Sequence, residues 1–185
     1  GTVTARVLAG TIARGADADA DTAASVTLAT SAKDLDEHEY AVQSVLAALR
    51  PHTSALAAGE QPFMLKLPNV WHLATDVEGT LDDGASALDL VGVLHPTAAV
   101  AGTPTDAAIE VIRRLEPFDR GLYAGPVGWI DARGDGEWAI ALRCGQLAGD
   151  HRSITLYAGC GIVAGSDPAE EYAETQAKLI PMLEA

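Results

Sequence analysis

The sequence predicts an α+β domain with a largely antiparallel sheet, and three observations carry that prediction. Residues 22–49 contain no glycine or proline, and Val26, Ala29, Leu35, Val42, Val45, Leu46 and Leu49 recur at roughly helical spacing. In the last third, residues 121–130, 137–147 and 153–163 read as three antiparallel strands, the first two joined by an Asp-Ala-Arg-Gly-Asp-Gly turn over 131–136. Two helix starts are written in side-chain chemistry, at Thr103-Pro104 and at Asp167-Pro168.

The elements follow in order. Residues 3–9 alternate as a short strand ending at Gly10, and 16–21 are small and acidic, a loop before a helix. The helix over 22–49 stops at Pro51, and 55–61 read as a loop. Residues 63–77 are strand-rich with a break at Pro68, and 85–94 form a short apolar helix. His95-Pro96 ends that helix, because a residue before proline leaves the helical region. Thr103 supplies a hydroxyl cap, Pro104 the first helical position and Asp106 a first-turn acid for a helix reaching about Leu115. Asp167-Pro168-Ala169-Glu170 gives cap, proline and capping box for the last helix. No repeat, coiled coil or low-complexity tract interrupts the chain, and residues 1–185 are read as a single domain.

Composition narrows the function classes. The chain is 48% apolar and 21% charged, ordinary for a globular domain. A net charge of -14 with no basic stripe excludes nucleic acid as a partner. It leaves an anionic small molecule open, because local cations or a metal reverse the field inside a pocket. There is no apolar run of membrane length and no signal-peptide pattern at the start, so a cytoplasmic protein with no membrane partner is expected. Cys144 and Cys160 each sit in an apolar stretch and read as buried free thiols, with a disulfide or metal pair as the alternative.

Several side chains stand out. Asp34, Glu37 and His38 share one helical face, and Glu171, Glu174 and Lys178 share another. One or two carboxylates plus a substrate oxyanion are what Mg2+ prefers, although such acids also suit a solvated face or the positive end of a helix. Arg143, in Ile-Ala-Leu-Arg-Cys, reads as a strand residue that needs an anionic partner if it points inward and none if it points to solvent. Tyr123 reads as a strand aromatic. Gly159 and Gly161 flank Cys160 and let backbone N–H groups approach an anion, or permit a close sheet crossing. His72 lies in a strand, where a satisfied core histidine is the plainer reading.

These motifs, in this order and over essentially the whole chain, resemble the chorismate-utilising enzymes. Lys33-Asp34-Leu35-Asp36-Glu37-His38-Glu39 is similar to the family's acidic helix, and Glu171-Tyr172-Ala173-Glu174-Thr175-Gln176-Ala177-Lys178 to its closing motif. The resemblance implies that Glu37 and Glu174 hold Mg2+ and that Asp34 and Glu171 support them from behind. It further implies that Arg143 and Tyr123 grip a chorismate carboxylate, with Lys178 beside it. Gly159 and Gly161, in a turn where the family has Ala-Gly-Ala-Gly-Ile, would line the same cradle. Thr11, in Leu-Ala-Gly-Thr, and His72, in Trp-His-Leu-Ala-Thr, would complete it.

Within the family the isochorismate synthases are the nearest branch. Trp71 to Gly79 resembles their Trp-His-Leu-Ala-Thr…Glu-Gly form, and His95-Pro96-Thr97-Ala98-Ala99 their His-Pro-Thr-Pro-Ala form, with Ala98 replacing a common proline. Thr105 stands where aminating and salicylate-forming relatives often carry lysine. Glu116-Pro117-Phe118-Asp119-Arg120-Gly121 and Gly128-Trp129 also fit. Salicylate or anthranilate synthesis, or metal and chorismate binding without turnover, are the alternatives. Isochorismate synthesis adds water at one ring carbon while a hydroxyl leaves another, using a lysine base and a glutamic acid. In relatives both precede the Leu-Ala-Gly-Thr turn, the acid in a Ser-Pro-Glu motif absent here. The resemblance therefore implies a layered α/β sandwich whose amino-terminal portion, with the catalytic acid and base, lies upstream of Gly1. An amino-terminal half or a second copy is then expected to cover the exposed sheet.

Overall fold

The strand β4, Val70–Leu81, organises the sheet, and every other strand of that sheet pairs with it in the antiparallel sense. The computed structural model describes residues 1–184; Ala185, the last residue of the expected domain, lies outside them. On one edge of β4 runs β1, Thr2–Ala13, from Thr2 opposite Thr80 to Ala13 opposite Val70. On the other edge β2, Thr53–Ala58, pairs the distal length and β3, Phe63–Lys66, the proximal length. The strand β2 overlaps the stretch 55–61 expected to be a loop. Its run of Ala and Ser gives a weak strand signal, and its ladder with β4 supplies the order.

A bulge interrupts β1. Ala9 lies opposite Leu73 but Thr11 lies opposite His72, so Gly10 is the extra residue. Gly10 adopts φ 78°, and a side chain there would meet Asp34 Cβ at 3.2 Å.

Two helices pack beside this sheet where one long helix was expected. Helix α1, Ala18–Thr30, starts four residues earlier than the sequence suggests, capped by Asp17, whose carboxylate accepts the Ala20 N–H at 2.9 Å. Helix α2, Ala32–Leu49, begins after a break at Ser31. The Ser31 N–H donates to the Leu28 carbonyl and its hydroxyl accepts the Asp34 N–H, closing one helix and opening the next. The stripe His38, Ala41, Val42, Val45 and Leu49 on α2 is buried, at the i, i+3, i+4, i+7, i+11 spacing of one helical face. It packs on Val7, Ala9 and Val77 of the sheet, and Leu49 is 0% exposed and Val77 1%.

Where α1 meets the sheet, the Asp21 carboxylate accepts from the Arg14 guanidinium, from Trp71 Nε1 at 2.9 Å and from the Gly15 N–H at 3.2 Å. Arg14 and Lys66 also lie over the Trp71 ring, at 5.3 and 5.1 Å from its centroid. This cluster pins the end of β1 to the start of β4.

Helix α3, Ala87–Leu94, opens with a reciprocal cap between Ser86 and Asp89. The short α4, Ala98–Ala101, and α5, Thr105–Leu115, follow. The α5 boundary falls at Pro104, so Thr103 is not its cap as expected. The expected three-stranded meander is instead two separate hairpins: β5, Pro126–Ile130, with β6, Gly136–Ile140, and β7, Cys144–Leu147, with β8, Ile154–Tyr157. The chain turns between β6 and β7 at Arg143, whose φ of 48° leaves extended geometry. Helix α6, Pro168–Leu183, ends the fold, with Asp167 accepting the Ala169 and Glu170 N–H groups at 2.9 and 3.1 Å. The α+β class and the antiparallel pairing are as the sequence predicts. Among the described residues no helix is long and apolar enough to cross a membrane.

Candidate functional site

One large cleft, about 1930 Å³, is lined by all the residues to which the resemblance gives a site role: Thr11, Asp34, Glu37, His72, Tyr123, Arg143, Gly159, Gly161, Glu171, Glu174 and Lys178. They come from seven places in the fold. The bulged end of β1 and the start of β4 give Thr11 and His72, α2 gives Asp34 and Glu37, and α6 gives Glu171, Glu174 and Lys178. The turns before β5 and after β8, with the corner before β7, give Tyr123, Gly159, Gly161 and Arg143.

The acidic helices do meet. Burial pushes the Glu37 carboxyl above its usual range, and repulsion from Asp34 and Glu174 adds to the rise, partly offset by Lys33 and Lys178. Glu174 pairs with Lys178 Nζ at 2.5 Å, and the same ammonium donates to the Gly159 carbonyl at 3.1 Å. Gly161 lies against α2, for a Cβ there would sit 3.0 Å from Glu37 Oε1. Glu171 is buried and turned to its own neighbourhood. Its carboxyl is held low by the Ser166 hydroxyl first and then by Cys160 and Lys33, whose Nζ is 3.6 Å away. Its backbone carbonyl accepts from the Thr175 hydroxyl at 3.0 Å.

Among the described residues no three His, Cys, Asp or Glu side chains converge as a closed metal cage. A pair of neighbouring carboxylates, with Glu37 pushed up first by burial and then by the charges of Asp34 and Glu174, is a donor set a hydrated hard dication suits, because Mg2+ keeps waters and takes only one or two protein carboxylates. The residues therefore fit the ion.

Cations share the cleft with the acids. Arg143 is half-buried at the corner before β7 rather than on a strand, as the sequence had suggested. Burial lowers its guanidinium pKa and Glu174 raises it, which marks a desolvated cation near an acid. His72 is buried and donates or accepts at Nδ1 with the Thr11 hydroxyl, 2.8 Å away. Burial lowers its pKa first, and the charges of Arg143 and Lys178 lower it further. Tyr123 lies in a turn, not a strand. Its ring stacks on Tyr157 at 5.3 Å and 17°, and a Cβ on Gly159 would be 3.0 Å from its hydroxyl. Cys144 and Cys160 are free thiols, so the disulfide alternative is not realised.

The sequence reading left two roles unassigned. His38, one residue after Glu37, is 2% exposed with both nitrogens engaged, Nδ1 with the Ala9 carbonyl at 3.1 Å and Nε2 with the Thr75 hydroxyl at 2.8 Å. It fastens the helix carrying Glu37 to both β1 and β4. Its place in the apolar stripe of α2 was the signal. Arg120 was the second, paired with Glu116 four residues earlier.

All 185 residues match a family model described as "Chorismate binding enzyme". The chain is 47% identical over 184 residues to the isochorismate synthase DhbC of Bacillus subtilis, covering 99% of this chain and 46% of that protein. The solved structure of DhbC from Bacillus anthracis superposes with a TM-score of 0.95 at 43% identity, over 99% of this chain and 48% of the other. MenF, the menaquinone-specific isochorismate synthase of Escherichia coli, gives 0.87 at 33% identity, over 98% and 41%. The chain thus spans about half the length of the proteins it matches.

Proposed function

The chain belongs to the chorismate-binding enzymes, and from that premise we propose that it forms the metal- and carboxylate-binding side of an isochorismate synthase. The reaction is an isomerisation, in which water adds at one ring carbon as a hydroxyl leaves another. The observation that carries the reading is the facing of Glu37 on α2 and Glu174 on α6 across a cleft that also holds Arg143, Lys178 and Tyr123.

In this reading Glu37 and Glu174 hold Mg2+, which when bound neutralises a substrate carboxylate and steadies charge at the ring. Asp34 and Glu171 keep those two acids in place. The desolvated Arg143 guanidinium binds a chorismate carboxylate in the geometry an arginine fork suits, and the Tyr123 hydroxyl donates to the same group. Lys178 offsets Glu174 and brings positive charge to the cradle, whose floor is the backbone of Gly159 and Gly161. The Thr11–His72 pair, with its imidazole kept neutral by burial, offers the ring hydroxyl a neutral hydrogen-bonding partner. These groups bind and orient. The base for water and the acid for the departing hydroxyl are assigned to residues outside this chain. The apolar side chains Trp129, Ile140, Leu147 and Ile154, exposed on two-stranded hairpins, support a covering partner, either the remainder of a longer protein or a second copy.

Calorimetry with chorismate, with and without Mg2+, joined to chromatographic product analysis, tests the reading. The 185-residue chain is expected to bind chorismate only with Mg2+ and without turnover, and E174Q to abolish binding. Absence of Mg2+-dependent binding would overturn the site. Isochorismate formed by this chain alone would overturn the placement of acid and base, and salicylate, or anthranilate with ammonia, would move it to another branch.

A further inference from the structure

Tyr123 is held by two ring contacts. The Tyr157 ring stacks on it at 5.3 Å, itself braced by Phe118 at 5.9 Å. The Arg120 guanidinium carbon lies over the ring, 5.6 Å from its centroid. That guanidinium has no freedom to drift. Its Nε donates to Glu116 Oε2 at 2.8 Å and its terminal nitrogen to Glu116 Oε1 at 2.5 Å, a two-pronged pair with both side chains about three-quarters buried. Its remaining nitrogen reaches the Val100 carbonyl at 3.5 Å.

The backbone repeats the constraint. The Tyr123 N–H donates to the Arg120 carbonyl at 2.8 Å, which folds the ring back over its own turn. The Ala124 N–H donates to the Ala141 carbonyl at 2.9 Å, and the Ala141 N–H to the Gly125 carbonyl at 2.8 Å. Those two bonds tie the Tyr123 turn to the segment that leads into Arg143.

A cation against a phenol ring does more than hold it. It withdraws electron density and makes the hydroxyl a stronger donor to an anion. Burial raises the Tyr123 pKa, and Arg120 is the charge that pulls it back. A lysine point charge would supply the cation without the planar fork that Glu116 orients.

Building on the proposed role of Tyr123, we infer that Arg120, held by Glu116, is a positioning residue that sets the angle and donor strength of the Tyr123 hydroxyl toward a chorismate carboxylate. Arg120 itself does not touch substrate. It acts through the ring. Glu116 acts one step further back, by denying the guanidinium any other pose.

The test is a double-mutant cycle read by chorismate affinity in the presence of Mg2+, with the thermal midpoint of each variant recorded. R120M is expected to weaken chorismate binding about three- to tenfold, with R120K intermediate and E116Q close to R120K. On a Y123F background R120M is expected to add nothing. An ultraviolet titration should also show Tyr123 losing its proton at higher pH in R120M than in the parent, a shift that a purely structural loss would not produce. Equal weakening by R120M on both backgrounds, or an unmoved tyrosine titration, would overturn the inference while leaving the site intact. If Y123F alone leaves chorismate affinity unchanged, the role given to Tyr123 fails instead, and the tyrosine titration still reports whether Arg120 acts on the ring.

Discussion

The two walls of the cleft are built by different means. The wall of β1, β4 and α2 carries Thr11, His72 and Glu37 on elements whose inner faces are closed, with Leu49 and Ala74 at 0% exposure. The wall of β5 to β8 carries Tyr123, Gly159, Gly161 and Arg143 on turns beside two-stranded hairpins, where Trp129 is 56% and Ile154 57% exposed. The first wall takes its order from core packing. The second takes it from local hydrogen bonds, stacked rings and ion pairs, since a lone hairpin has little core of its own. Glu37, the carboxylate that faces repulsion from Asp34 and Glu174, sits on the first wall.

The sharpest way to break this contrast is to cut both walls alike. Leu49→Ala should cost about 3 kcal/mol of stability by chemical denaturation, because it opens a void under α2. An equal loss from Ile154→Ala would show the two walls to be packed alike.

The walls touch at Gly161, whose missing side chain leaves room for Glu37. Gly161→Ala should lower Mg2+ affinity about tenfold while moving the thermal midpoint little. An unchanged affinity would mean that Glu37 can yield without cost.

The closed wall also predicts a pH response. His72 is buried with its pKa lowered, so its folded form takes up a proton less readily than the unfolded chain. Its contribution is complete above the unfolded value of about 6.5 and is lost as pH falls below it, at up to about 1.4 kcal/mol per pH unit. Denaturation of the parent and of His72→Gln between pH 7.5 and 5 should show a shallower slope in the variant. Parallel slopes would mean that the imidazole is freely hydrated.

The smallest expected effect belongs to the open wall. Ile154→Ala should change stability by no more than about 0.5 kcal/mol. A larger loss that grows with protein concentration would reveal a second copy seated on that hairpin.

The closed wall was also the more legible one. The stripe from Val42 to Leu49 is a local signal and appears where the sequence puts it, whereas Gly10, read as the end of the first strand, is instead a bulge through which β1 continues to Ala13. The break at Ser31 was written as Ser-Ala-Lys-Asp, a cap inside an otherwise helical run, but the absence of glycine and proline hid it. The strand β2 was unreadable because Ala and Ser carry little strand preference, and only pairing with β4 defines it. The corner at Arg143 escaped notice because nothing in Ala-Leu-Arg-Cys announces a left-handed residue. The residue types of the site were readable from motifs. How Tyr123 is held was not, because Tyr157 reaches it from the end of β8 and Arg120 from the loop after α5, an approach that only tertiary structure sets.

The extra residue in β1 has one more consequence. With an unbroken ladder, position 10 would face His72 and Thr11 would face Trp71; the bulge moves the hydroxyl onto the imidazole. In an alignment, a single gap at this point would pass for harmless length variation. In the sheet that gap would keep Thr11 opposite His72 and take away only the bulge, whereas flattening the bulge with Gly10 retained would act as a frameshift, sliding every later side chain of the strand to a new partner without replacing any.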